Sequence, residues 1–159
     1  MDTMTRERIT RAQASREAVA RGVRSRCMRA IKGRDTLPEV IVRKWLYANG
    51  YRFRCQYKKV PGHPDIAIPK LKTLIEIRGC FWHQHEGCPD ATMPKTNKSF
   101  WRNKFKANVA RDAEHERAWF EMGWNLIVIW TCGLKTEKDK AATFKKVGKW
   151  LEGFEKGGC

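Results

Sequence analysis

No long apolar run interrupts this chain of 159 residues. The longest, LIVIW at residues 126–130, has five, against the ~20 that a helix needs to cross a bilayer. A membrane-spanning helix is therefore excluded. Acidic residues are scarce: 17 against 33 Lys and Arg, a formal net charge of +16. So large an imbalance in a small protein disfavours a basic or neutral partner and points to a polyanion, most often nucleic acid. A secretion signal is lacking too. The first 27 residues are Arg-rich with only scattered Ile9, Val19 and Val23, and Glu7 and Glu17 argue against an organelle transit peptide. The expectation is a cytoplasmic, nucleoid-associated protein of prokaryotic type. In that reducing setting the six cysteines read as metal ligands rather than as a disulfide framework. There is no internal repeat and no low-complexity tract. Length and a 42% hydrophobic content suit one core in one domain.

The basic residues are not spread evenly. Residues 95–111 contain six of them and no acid, interleaved with Phe100, Trp101 and Phe105. Phosphate contact combined with base stacking or wedging uses that mixture. The expected organisation is a basic arm at 1–27, a core at 28–134 and a C-terminal helix with its tail at 135–159. Thr36-Leu37-Pro38-Glu39 predicts a helix start, with Thr36 as N-cap and Glu39 completing a capping box, and Gly50 closes that helix. Alternation from Tyr51 to Gln56 predicts a half-buried strand with Cys55 in the core. The Pro-Gly and His-Pro pairs of VPGHPDIAI mark a turn, where His63 sits, before a short buried strand. Another strand follows at 73–77. Ser99 is expected to cap a long helix reaching about Met122, with His115 on its exposed face. NLIVIW is a buried strand, and residues 138–152 a last amphipathic helix. Helix, three strands, helix, strand, helix implies an α/β fold, a mixed central sheet flanked by helices with a crossover between strands.

Two constellations carry chemistry. Cys80, His85 and Cys88 show C-x4-H-x2-C spacing, and Cys132 follows the LIVIW strand. Four such ligands would make a closed tetrahedral site, the usual structural zinc arrangement, tying the loop of residues 80–88 to a distant strand end. The second constellation is Pro64-Asp65 opening one strand and Glu76-Ile77-Arg78 closing the next. A tight turn sets the two side by side, so Asp65 and Glu76 could converge on one divalent cation, with hard oxygen ligands suiting magnesium. An ordinary Glu–Arg pair on a strand would leave the same trace.

This pattern resembles the PD-(D/E)xK nucleases, whose core is a restriction-endonuclease-like sheet flanked by helices. Arg78 stands where they use lysine. Because arginine stays charged, it suits holding a phosphate better than moving a proton. The segments CMRAIKGRDTLPEV, PGHPDIAI, GCFWHQHEGC, PKTNKSFWRNKFKANVARD and LIVIWTC, in this order, resemble the very-short-patch repair (Vsr) endonucleases over about residues 25–134. That resemblance implies a magnesium-dependent enzyme with a structural zinc that nicks double-stranded DNA beside a T:G mismatch left by deaminated 5-methylcytosine. It implies zinc on Cys80, His85, Cys88 and Cys132, and maps the family's catalytic residues onto Asp65, His83 and Glu39. The strand pattern adds Glu76 and Arg78 to that catalytic set, with magnesium on Asp65, Glu76 and the Ile77 carbonyl. Phe81, Trp82 and Trp101 would wedge into the base stack, with Met28 and Ile31 as a second wedge, and Lys95, Lys98, Lys104, Asn108 and Arg111 would contact DNA. A monomer is expected, with mismatch-repair proteins and a downstream repair polymerase as partners and no membrane.

Several alternatives stay open. Glu39 serves as a capping residue, a supporting carboxylate or both. His83 and His85 alternate, so one faces zinc and the other DNA. The best-known family pattern has histidine at the position of Arg78 and an apolar residue at that of Glu76. Either Glu76 joins Asp65 at the metal and His83 works alone, or activity is weak. The rivals are a restriction-type endonuclease on matched duplex and a zinc-braced DNA-binding module whose catalytic site has decayed.

Overall fold

The computed structural model describes residues 35–157. The sheet and its helices lie within residues 37–157. The basic arm, Met28 and Ile31 lie outside the described residues, as do Cys27 and Cys159.

Helix α1 spans Leu37–Ala48, beginning directly after Thr36 as its sequence predicts. Gly50 follows with φ +81°. Strands β1 (Arg54–Cys55), β2 (Ile66–Ile68), β3 (Thr73–Arg78) and β4 (Asn125–Trp130) form one sheet in the order β1-β2-β3-β4. The first two pairings are antiparallel and β3–β4 is parallel. Helix α2, Lys98–Glu121, is the crossover that a parallel pair requires. Helix α3 spans Glu137–Gly157. Thr136 Oγ1 accepts from the Asp139 amide at 3.1 Å while Asp139 Oδ2 accepts from the Thr136 amide at 3.2 Å, a reciprocal cap.

The period-two alternation of the strands separates two apolar clusters. Ile66, Ile68, Ile75, Ile127 and Ile129 face one way and pack with Val42 and Leu46 of α1 and Val147 and Leu151 of α3. Ala67 and Leu74 face the other way and pack with Val60 and Trp119 of α2. Continuing that alternation puts Glu76 and Arg78 on the α2 side.

Four local expectations need correction. The strand predicted at 51–56 is only Arg54–Cys55. Tyr51 and Phe53 do pack on the main core, but β2 offers three residues to pair with, and Gln56 adopts φ +47°. Cys55 is consequently exposed, not a core residue. Ser99 does not cap α2: the helix starts at Lys98, with Asn97 at φ +53° as its N-cap, two residues before the expected one. His115 is half-buried rather than exposed. Its ring packs on Trp119 at 5.8 Å and covers Gly62, where a Cβ would lie 2.5 Å from His115 Nδ1. Gly62 and His63, at φ +76° and +51°, form the left-handed turn that delivers Asp65.

Candidate active site and metal centre

The parallel register of β3 and β4 pairs Arg78 with Trp130. Two residues further along each strand stand Cys80 and Cys132, so the remote ligand is remote only in sequence. Cys80 Sγ lies 3.6 Å and Cys132 Sγ 3.4 Å from His85 Nδ1. With Cys88, the four ligand atoms lie within 4.8 Å of one another, a cluster that could hold a metal ion. Trp130 stacks on the His85 ring at 4.1 Å with planes 5° apart, fixing its orientation. The sulfurs are electrostatically crowded. Burial and the neighbouring Cys80 and Cys88 push the Cys132 thiol up to about 12. The Cys80 thiol is penalised by burial as well, but hydrogen bonds from the Thr131 hydroxyl and from Cys132 hold it below its ordinary value. Such a set favours one thiolate at a time unless a cation joins it.

Between ligands Cys80 and His85 the chain turns tightly: the His83 amide donates to Gly79 O at 3.0 Å and the His85 amide to Cys80 O at 3.1 Å. His83 and His85 diverge. His85 faces the cysteines, whereas His83 Nδ1 meets Asp112 Oδ2 of α2 at 2.5 Å. Burial pushes Asp112 up, but the His83 hydrogen bond and the charges of His83, Arg78 and Arg111 outweigh it and hold this carboxyl below the ordinary range. An ionised Asp112 can only accept, so His83 Nδ1 carries the proton of this hydrogen bond.

Asp65, where β2 begins, accepts from the Ile77 amide at 2.8 Å through Oδ2. Its Oδ1 has no hydrogen-bond partner among the described residues. Burial pushes the Asp65 carboxyl up to about 6. The Ile77 hydrogen bond opposes this, the negative charges of Glu39 and Glu76 add to it, and His83 opposes it again. Glu39, 7% exposed, therefore lies close enough to act on Asp65, and it also pairs with Arg43 at 3.5 Å. Glu76 has a different first partner. Its Oε2 receives Arg78 Nε at 2.8 Å and a terminal nitrogen at 2.5 Å, while the other terminal nitrogen of Arg78 meets Glu116 Oε1 of α2 at 2.6 Å. Arg78, expected to hold a phosphate, is 7% exposed and turned inward onto these two carboxylates.

Beside this site stands an aromatic group. Phe81 meets Trp82, Trp101 and Phe105 edge-on, with centroids at 5.1, 5.4 and 5.0 Å. Phe105 is buried, and Phe100 is 60% exposed against Trp101. Asn108, expected on the DNA surface, is buried. Its side-chain amide donates to Trp82 O at 3.0 Å and accepts from Arg111 at 2.9 Å, so it ties the loop to α2. Lys95, Lys98, Lys104 and Arg111 are exposed. Asp112, Glu116 and Thr131 are the site residues that sequence reasoning missed. Asp112 alone had a signal, as the last residue of the NVARD segment.

Residues 16–90 match the family described as DNA mismatch endonuclease Vsr. A type II nicking enzyme of Neisseria meningitidis, V.NmeAIP, is 41% identical over 114 residues, covering 72% of this chain and 81% of that protein. V.XorIIP, a type II nicking enzyme of Xanthomonas oryzae, is 41% identical over 67% of this chain and 78% of its own length. The DNA mismatch endonuclease Vsr of Escherichia coli is 35% identical over 84% of this chain and 86% of its own length. The Cys/His cluster, the half-buried aspartate, the His–Asp pair and the aromatic group thus sit in a chain that belongs to the Vsr family of DNA mismatch endonucleases.

Proposed function

We propose that this endonuclease nicks one strand of duplex DNA beside a T:G mismatch, using magnesium for hydrolysis and zinc for structure. The observation that carries the reading is the convergence of the Asp65 carboxylate and the oriented His83 imidazole at one end of the sheet, beside a group of half-buried aromatics. The metal cluster fits zinc: bonds of about 2.3 Å to sulfur and 2.05 Å to nitrogen at the tetrahedral angle give a sulfur–nitrogen edge of roughly 3.6 Å. The edges from His85 Nδ1 to Cys80 and Cys132 are 3.6 and 3.4 Å. Three sulfurs and an imidazole nitrogen are also the soft donors that zinc takes.

The residues around Asp65 fit a hard divalent cation. A mostly buried carboxyl with an unbonded Oδ1 and two acidic neighbours needs positive charge, and magnesium would be held by Asp65 with the main-chain carbonyl of Ile77. When bound, such an ion offsets charge on the phosphoryl oxygens and acidifies water. His83 Nε2 takes the proton of the attacking water, and Asp112 stabilises the resulting imidazolium. Glu39 supports the charge balance at Asp65. Phe81, Trp82 and Trp101 press on the stack where the T:G pair is weakest, and Lys95, Lys98, Lys104 and Arg111 hold phosphates. The enzyme acts as a monomer in the bacterial cytoplasm and leaves a nick for a repair polymerase.

A second reading, cutting of matched duplex, is favoured by the names of the type II nicking relatives. Paired T:G and T:A duplexes in the same sequence context separate the two. The proposal expects nicking of T:G alone, and Asp65→Ala should abolish the nick while leaving T:G binding largely intact. Equal cutting of T:A would establish the second reading. Binding of T:G without nicking in magnesium or manganese would leave only a DNA-binding module.

A further inference from the structure

Each nitrogen of Arg78 already faces a carboxylate. Nε and one terminal nitrogen face Glu76, and the other terminal nitrogen faces Glu116. The three side chains carry a net charge of −1, which repels a phosphate. What they do instead is join β3 to α2. Glu116 lies one helical turn after Asp112, so the two share a face of α2. His83 lies five residues after Arg78. The same two segments are thus linked twice, by Arg78–Glu116 at 2.6 Å and by His83–Asp112 at 2.5 Å.

The first link is the more buried at its strand end, where the Arg78 side chain is 9% exposed against 26% for His83. On the strand side two nitrogens of the guanidinium fork, Nε and one terminal nitrogen, meet Glu76 Oε2 together, which orients the plane that carries the remaining nitrogen to Glu116. A lysine ammonium has no such fork. Rotating or sliding α2 enough to part Asp112 from His83 would also strain the Arg78–Glu116 link. The charges facing Asp112 come from both elements: Arg78 and His83 from the strand side, Arg111 from its own helix.

We infer that Arg78 is a positioning residue: clamped between Glu76 and Glu116, it fixes the face of α2 that presents Asp112 to His83 and so sets the imidazole that works on the phosphate. This rests on the catalytic role of His83 in the proposed function. It assigns the arginine that departs from the best-known family pattern to alignment rather than to phosphate contact, and it makes Glu76 part of the clamp rather than a metal ligand.

Glu116→Gln in the full-length zinc-loaded protein tests it, since Glu116 is partly exposed and touches neither DNA-facing aromatics nor Asp65. Three quantities are read: single-turnover nicking of a T:G duplex, affinity for that duplex, and the nitrogen and Nδ1–H proton resonances of the His83 ring. The expected result is a nicking rate lower by about 10–100-fold, an affinity within about twofold, and loss of the strongly deshielded Nδ1–H signal that a carboxylate partner produces. Arg78→Lys, which keeps the charge but not the fork, should behave likewise. A wild-type rate in Glu116→Gln would overturn the inference. So would an intact His83 signal with a reduced rate, or a loss of affinity matching the loss of rate, which would restore Arg78 to the phosphate. An Arg78→Lys enzyme as fast as wild type or faster would overturn it too. If the wild-type protein never nicks, the functional reading fails, but the His83 resonances in the two variants still decide the clamp.

Discussion

Asp65 should weaken the fold it belongs to. Its carboxyl rises from 3.8 to about 6 on folding, chiefly through burial. At 1.36 kcal/mol per unit this amounts to roughly 3 kcal/mol. The folded state holds the proton more tightly than the unfolded state, so stability from this group is fully present below about pH 4 and is lost as pH rises through 6. Asp65→Asn removes the charge and keeps an oxygen for the Ile77 amide. At pH 7.5, without magnesium, the variant should be more stable than wild type by about 2–3 kcal/mol, with Tm higher by about 5–10 °C for a chain of this size. Below pH 4 the two should coincide. Saturating magnesium should narrow the gap from the wild-type side, since a ligand at a hundred times its Kd adds about 2.7 kcal/mol. Urea or thermal melts from pH 4 to 8 measure this, in magnesium-free buffer without chelator so that zinc stays bound. A pH-independent difference, or an Asn variant less stable at pH 7.5, would refute the assignment of strain to this carboxylate.

Other perturbations read other parts of the molecule. About one zinc per chain should be found by elemental analysis, and Cys132→Ala should lose it together with thermal stability; a folded, metal-free wild type would contradict the site. Exposed lysines and arginines on α2 should make DNA binding salt-dependent, with a log–log slope of roughly −5 if six phosphates are neutralised; a slope near zero would mean the net charge of +16 is not used on DNA. Trp82→Ala should reduce preference for T:G over T:A more than it reduces general affinity, and an equal loss on both duplexes in a titration would assign Trp82 to packing alone.

What the sequence disclosed came from local spacing. The start of α1 was written in Thr36-Leu37-Pro38-Glu39, and the Cys/His cluster that could hold a metal in C-x4-H-x2-C. Cys132 was legible because the strand before it is strongly apolar, so its end could be located. The partners of His83 and Arg78 were not legible, for a physical reason. Helix α2 buries only Phe105, Asn108 and Trp119 along 24 residues, so no apolar stripe reveals which polar residues turn toward the sheet. Asp112 is 29 residues from His83, with no periodicity joining them. Cys55 misled because alternation reports which side chains prefer burial, not whether a partner strand is long enough to pair with them.

Under the proposed function, the order of residues in the loop accounts for a Cys/His cluster beside the proposed catalytic group. Cys80 and His85 belong to the cluster that could hold a metal ion, and Phe81, Trp82 and His83 lie between them, so one ion bound there would close both ends of the segment that carries the proposed wedge and the imidazole. Fixing a backbone residue costs about 1–2 kcal/mol, and four residues separate the two ligands. Ordering them only on contact with DNA would therefore subtract several kcal/mol from binding, comparable to the cost of unstacking a base step. A metal bound at the cluster would shift that cost to folding, where ligand–metal bonds would offset it once and before any substrate arrives. From the opposite side, Asn108 holds Trp82 O and Asp112 holds His83 Nδ1, both from α2. A loop fixed at its ends by one element and in its middle by another has little freedom left to lose on DNA, which is what a wedge acting beside a single displaced base pair requires.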